Sequence, residues 1–283
     1  MDAGGRPASM RAVQYSGYGG GSAVLKQVPI SVPSPKKNEV LIKVQAVSIN
    51  PADWNIQNGL LRPFLPRFPF IPVSDVAGEI VEIGSAVREF KVGDYVLSKT
   101  FFMKAGGLAE YVAVSEDETV ALPAGIPAAD AAGLPLAGLT ALQAVRSIGT
   151  KFDGTGTGAN ILITAASGGV GTYAVQLAKL GNHHVTATCG TRNLELVRSL
   201  GADEVLDYTT PEGAALKNQC GKKYDYIINI TYDGKWSMFK PALSSHGRVV
   251  DVASCCENYV ASVMTLFARK KIATMVMTMK KEE

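Results

Sequence analysis

Six residues, Ala166-Ser167-Gly168-Gly169-Val170-Gly171, carry the strongest chemical signal in the sequence. They follow an apolar run, Ile161-Leu162-Ile163, and lead into Val170 to Leu180, whose apolar spacing is helical. The pattern is G-x-G-x-x-G with alanine in the first place. Small residues let a strand-to-helix turn tighten and let the backbone approach a pyrophosphate. The free N–H groups and dipole of the helix start then favour the anion. A lone match is weak, but here the preceding strand, the helix and a second strand at His184 to Thr188 are all in place. The competing reading is a tight turn with no ligand.

The end of that second strand bears on which dinucleotide would bind. NAD sites usually place Asp or Glu there to hold the ribose hydroxyls. This chain has Cys189-Gly190-Thr191-Arg192-Asn193 and no acid until Glu195. A carboxylate would repel a 2′-phosphate, whereas Arg192 can pair with it and Thr191 can donate a hydroxyl hydrogen bond. NADPH is the expected cofactor. Against this stands a solvated Arg192 at a helix start. Trp54, Phe101 and Phe102 could wall a flat apolar substrate pocket or serve as ordinary core aromatics.

These residues need a scaffold, and the chain changes character along its length. Up to about residue 127 it reads as β-rich. Val40 to Ile49, Val76 to Ile83, Tyr95 to Ser98 and Ala109 to Val114 are strand candidates between frequent prolines and glycines. Ala128 to Leu136 and Thr140 to Ile148 read as helical. From Asn160 onward, short apolar runs alternate with helical patterns. The runs lie at Ile161–Ile163, His184–Thr188, Glu204–Leu206, Tyr226–Ile230, Arg248–Val252 and Ile272–Met277. Such alternation implies a doubly wound parallel sheet. The expected class is α/β, with residues 1–9 disordered, 10–127 a β-rich domain and 128–283 a dinucleotide-binding domain. The net charge of +3 and the short run Arg269-Lys270-Lys271 give no nucleic-acid surface. No stretch reads as a membrane span or signal peptide. The four cysteines read as free thiols.

Further motifs add a resemblance. They are Ser48-Ile49-Asn50-Pro51-Ala52-Asp53-Trp54, Gly107-Leu108-Ala109-Glu110-Tyr111, Leu134-Pro135-Leu136-Ala137-Gly138-Leu139-Thr140-Ala141-Leu142-Gln143, and Ser199-Leu200-Gly201-Ala202-Asp203-Glu204-Val205. With the phosphate loop and Thr172 to Lys179, they resemble the quinone oxidoreductase branch of the medium-chain dehydrogenase/reductases, and most of all its plant chloroplast-envelope members. The resemblance runs from Met10 onward. It implies a GroES-like first domain, a Rossmann second domain and a cofactor in the cleft between them. It also implies hydride transfer to quinones or to the conjugated double bond of α,β-unsaturated carbonyl compounds.

Residue by residue, the resemblance implies more. Asn50 and Ser74 stand where zinc-dependent relatives carry ligands. With no Cys in the first 188 residues and no His in the first 182, no metal is expected there. Asn50 is then the candidate donor that polarises the substrate carbonyl, with a turn-capping asparagine as the alternative. Tyr208 matches a cofactor-contacting tyrosine, and Gly190 and Asn193 match the 2′-phosphate loop. Asn55 replaces a lysine that reaches the cofactor in many relatives. The resemblance further implies a homodimer joined through the last Rossmann strand, a small-molecule substrate, and a chloroplast or cytoplasmic location with peripheral membrane association. Relatives also carry a returning segment after that strand that completes the first domain. On that ground the first domain is expected to open easily. An NADPH-binding protein with little or no catalysis is the alternative to an active reductase.

Overall fold

The computed structural model describes residues 6–60, 62, 67–100, 104–156, 158–219 and 221–275. They form two units, divided between Leu136 and Ala137.

The first unit opens with β1 (Ser9–Gln14) and β2 (Lys26–Ser31), an antiparallel pair. There follow β3 (Glu39–Ser48), α1 (Pro51–Gln57), β4 (Asp75–Ile83), β5 (Tyr95–Lys99), β6 (Tyr111–Ser115), β7 (Thr119–Ala121) and α2 (Ala128–Ala131). The five later strands make one antiparallel sheet in the order β6-β3-β4-β5-β7. Val40, Ile42, Val76, Ile80 and Val96 are fully buried on one face. Each contributes roughly 1.5–3 kcal/mol by leaving water. The expected simple alternation of β3 holds only from Lys43 to Ala46. Leu41, on the opposite face, is covered by Met10 and Val32 from the β1–β2 region, so the strand's first four residues are all buried.

Two expectations are corrected in this unit. Residues 6–9 do not lie outside the fold: Arg6 pairs with Glu82 at 2.6 Å and bonds Ser34, and β1 begins at Ser9. The division also falls later than residue 127. Ala131, Ala132 and Leu134 pack against Ala77 and Leu97, and the Leu136 N–H donates to Asp75 at 3.1 Å, which keeps this stretch with the first unit.

The second unit continues α3 (Pro135–Ser147). It then runs through β8 (Asn160–Ile163), α4 (Gly169–Leu180), β9 (His184–Cys189), α5 (Leu194–Ser199), β10 (Glu204–Asp207) and α6 (Pro211–Ala214). The chain continues as β11 (Tyr224–Asn229), α7 (Trp236–Phe239), β12 (Leu243–Asp251), α8 (Cys256–Met264) and β13 (Lys271–Thr274). All six strands are parallel, in the order β10-β9-β8-β11-β12-β13. Ile161, Leu162 and Ile163 are fully buried, as a central strand covered on both faces requires. β13 lies at an edge of this sheet, where Ile272 is buried but Ala273 is exposed, so it is not covered on both faces; Val276 and Met277, expected in this strand, lie outside the described residues. Among the described residues, no helix is long and apolar enough to cross a membrane.

Candidate functional site

The phosphate loop stands where its sequence placed it, between β8 and α4. The Thr164 N–H continues the pairing to β11 by bonding Ile228 O at 3.1 Å, and the Ala166 N–H bonds Thr188 O at 2.9 Å. Between them, Ala165 takes a left-handed φ of 50°, which turns the chain toward the helix. The Gly168 N–H closes this turn on Ala165 O at 3.0 Å. A Cβ on Gly171 would lie 2.3 Å from Ala165 O and 2.7 Å from Ala166 Cα, so only glycine lets α4 seat this closely on the turn. Thr172 is the first residue of the helix whose N–H bonds back along it, to Gly168 O at 2.9 Å. The N–H groups of Gly169, Val170 and Gly171 lie in the first turn, with no side chain capping them. Exposed Gly168 and Gly169 leave the approach open. A dinucleotide pyrophosphate fits this cradle.

Next to it lies the loop after β9. The Asn193 amide donates to Ser167 Oγ at 3.1 Å, tying this loop to the phosphate loop. Tyr208, just past β10, bonds Cys189 O through its N–H at 3.2 Å. Its hydroxyl comes within 3.2 Å of where a Cβ on Gly190 would stand, so the bare backbone at residue 190 admits the ring. Arg192 is exposed and takes part in no ion pair among the described residues. The structure therefore brings Ser167, Gly190, Thr191, Asn193 and Tyr208 together at the carboxyl ends of β8, β9 and β10.

Sequence reasoning missed Asp207, the last residue of β10. Its Oδ2 accepts the Thr191 hydroxyl at 2.5 Å, and its Oδ1 accepts the N–H and hydroxyl of Thr209 at 2.9 and 2.8 Å. These bonds, that from Thr191 foremost, hold the Asp207 carboxyl below its usual range. The expected role of Thr191 is corrected accordingly. Its one hydroxyl hydrogen goes to Asp207, so Thr191 can accept a hydrogen bond but has none to donate to a phosphate. Asp207 was visible beside Tyr208 in the sequence; its proximity to Thr191 arises only because β9 and β10 are neighbours.

Asn50 belongs to the first unit, where it starts α1. Its backbone N–H donates to Asp53 Oδ2 at 2.8 Å. Its amide donates to Ser48 O at 3.1 Å and to Asp75 Oδ2 at 2.9 Å. Both amide hydrogens are committed, so in this geometry Asn50 lacks the free donor that carbonyl polarisation requires. It acts as the residue that joins β3, α1 and β4. Asp75 is fully buried, and burial pushes its carboxyl up to about 6. Burial likewise raises Asp53 and lowers Lys99, which faces Asp75 across the β4–β5 pair. Trp54 is 60% exposed on α1, and Asn55 follows it, half-buried. Phe101 and Phe102, the other expected pocket walls, lie outside the described residues. Among the described residues, no group of three or more His, Cys, Asp or Glu could hold a metal. Asn50 and buried Ser74 are neutral groups that fit zinc poorly.

Comparison with known proteins places this arrangement. Residues 36–124 match the alcohol dehydrogenase GroES-like domain, and residues 169–283 match the zinc-binding dehydrogenase family. The chain is 57% identical over 277 residues to the chloroplastic quinone-oxidoreductase QR1 of Triphysaria versicolor, covering 96% of this chain and 84% of that protein. It belongs to the quinone oxidoreductase branch of the medium-chain dehydrogenase/reductases. Within the same family, it is 40% identical over 231 residues to the chloroplastic NADPH-dependent alkenal/one oxidoreductase of Arabidopsis thaliana, covering 79% of this chain and 58% of that protein. The quinone oxidoreductase structure from Coxiella burnetii superposes with a TM-score of 0.84 at 29% identity, covering 97% of this chain and 84% of the other. Medium-chain dehydrogenase/reductases of this kind are nicotinamide-dinucleotide-dependent oxidoreductases, in keeping with the cradle at residues 166–171.

Proposed function

We propose that this chain is an NADPH-dependent, zinc-free reductase of quinones or of the conjugated double bond of α,β-unsaturated carbonyl compounds. The observation that carries the cofactor choice is the loop after β9. It begins at Gly190 without a side chain, has no carboxylate through Asn193, and holds Arg192 exposed, with no ion pair among the described residues, beside the Ser167–Asn193 contact. When bound, NADPH supplies a hydride equivalent. The residues of this chain do the holding. The first-turn N–H groups of α4 receive the pyrophosphate, Arg192 pairs with the 2′-phosphate, and Tyr208 closes over Gly190. Asp207 opposes a second negative charge nearby, which makes Arg192 the deciding group. The names of the relatives support the substrate classes and a plastid location.

The deciding experiment measures dissociation constants for NADPH and NADH. A charge-assisted pairing contributes roughly 1.5–3 kcal/mol, about one to two powers of ten in favour of NADPH. Arg192→Ala removes most of that preference. Equal constants in the unmutated chain overturn the cofactor assignment. Turnover is screened in parallel with a small quinone, an enal and an enone; binding without turnover would make the chain a cofactor-binding protein only. Metal analysis of the purified protein is expected to find no stoichiometric zinc, and chelators leave turnover unchanged.

A further inference from the structure

The sheet reverses its direction of build between β8 and β11. From β8 the chain moves outward to β9 and β10; from β11 it moves the other way, to β12 and β13. A crevice opens at such a point, and a dinucleotide crosses it. The phosphate loop and the residue 190–193 loop occupy one side. The other half of the ligand must then rest on the loops that follow β11 and β12.

Those loops are held by buried amides and one buried carboxylate. Thr164, just past β8, donates its hydroxyl to Asn229 Oδ1 across the reversal at 2.9 Å and accepts the Ile230 N–H at 2.8 Å. Asn229, the last residue of β11, also accepts the N–H and hydroxyl of Thr231 at 3.2 and 2.9 Å. Its own amide donates to Thr231 O at 3.0 Å and to Asp251 Oδ1 at 2.7 Å. The other oxygen of Asp251 accepts from Asn258 of α8 at 2.9 Å. Asn258 then reaches back, donating to Gly234 O at 2.7 Å and accepting the Trp236 N–H at 2.8 Å. Asn229, Asp251 and Asn258 are each fully buried, and Thr164 nearly so. Among the described residues, no lysine, arginine or histidine hydrogen-bonds Asp251; its partners are the amides of Asn229 and Asn258.

We propose that Asn229, Asp251 and Asn258 are positioning residues that fix the loops under the nicotinamide half of the cofactor. A buried carboxylate is a costly way merely to join two loops, because its full desolvation must be offset by hydrogen bonds. Its geometry, however, is stiff. Each oxygen takes one amide, each amide ties down a further backbone group, and the chain of contacts runs from the reversal point to α8. A surface built this way presents a fixed backbone to its ligand rather than an adaptable one. The residues touch no reacting atom and act through the loops at 230–235 and 252–255.

This inference rests on the dinucleotide reading, and the test separates the two. Binding of NADPH and of 2′-phospho-ADP-ribose, which lacks the nicotinamide, is measured for the unmutated chain and for Asn258→Ala. The unmutated chain is expected to bind both. The variant should lose about tenfold in NADPH affinity, the scale of a buried hydrogen bond lost, while keeping its affinity for 2′-phospho-ADP-ribose within about twofold. Equal weakening of both ligands, or of neither, overturns the inference. An unmutated chain that binds neither ligand overturns the dinucleotide reading and the inference with it. If Asn258→Ala shows no cooperative melt, Thr164→Val is judged by the same criterion, since it removes only the hydroxyl that spans the reversal.

Discussion

Asn50 and Asp75 form a buried pair in which the carboxyl is held up to about 6 and the amide has both hydrogens in use. Asn50→Ala removes the amide donor to Ser48 O and one of the two donors to Asp75 Oδ2, which keeps only the Leu136 N–H. We expect it to lower stability by about 1–3 kcal/mol, the scale of buried hydrogen bonds lost, and to leave kcat per folded molecule nearly unchanged. A large fall in kcat with no change in melting temperature would return Asn50 to the chemistry. Asp75 also predicts a pH dependence. Its folded value lies above the unfolded value of about 3.9, so the native state holds more protons between the two. Its contribution to stability is therefore full below about pH 4 and is lost as pH rises through 6. Compared with Asp75→Asn, the unmutated chain should lose up to about 3 kcal/mol from pH 4 to pH 7, read from paired denaturation curves. A constant difference across that range would contradict the burial of the charge. At this scale the sequence was uneven. It named Gly190, Asn193 and Tyr208, which do meet. It said nothing of Asp207 accepting the hydrogen bond of the Thr191 hydroxyl, because that contact depends on which strands are neighbours.

The elements were more legible than their partners. Apolar runs of three to six residues between helical stretches forecast each strand of the parallel sheet, with β12 beginning five positions earlier than its run, because such a sheet buries both faces and leaves a continuous signature. β3 misled in its first half, since Leu41 looks like the outward half of an alternating strand until Met10 and Val32 cover it. In the strand–turn–helix unit of the phosphate loop, Gly168 and Gly171 predict different failures. A Cβ on Gly168 would meet only Ala165 O, at 3.3 Å, and the position is exposed with an ordinary φ of −82°. Gly168→Val should therefore fold with an unchanged circular dichroism spectrum and lose cofactor binding. Gly171→Ala would press its methyl into the turn, and should lower the melting temperature even without cofactor. If the two variants behave alike, close seating of the helix and access of the anion are not separate requirements.

At the scale of the whole molecule, the side of the second unit around β13 stands out. Tyr259, Val260, Val263 and Met264 of α8 are exposed, as are Leu266 and Phe267, the latter wholly so. β13 lies nearby in the chain with one edge unpaired among the described residues. Apolar patches and open strand edges of this kind invite association. We propose that a second copy covers them and that Val263→Glu with Phe267→Glu shifts the protein toward monomer in sedimentation experiments. Oligomers unchanged by both charges would exclude this face. The patch has a consequence for the meaning of stability. If folded chains are held together there and unfolded chains are not, mass action links the melting temperature to concentration. A tenfold dilution then lowers the melting temperature of the unmutated chain, while the doubly charged variant melts at one temperature at any dilution. Two laboratories working at different concentrations would obtain different melting temperatures for the same protein, and each would be right.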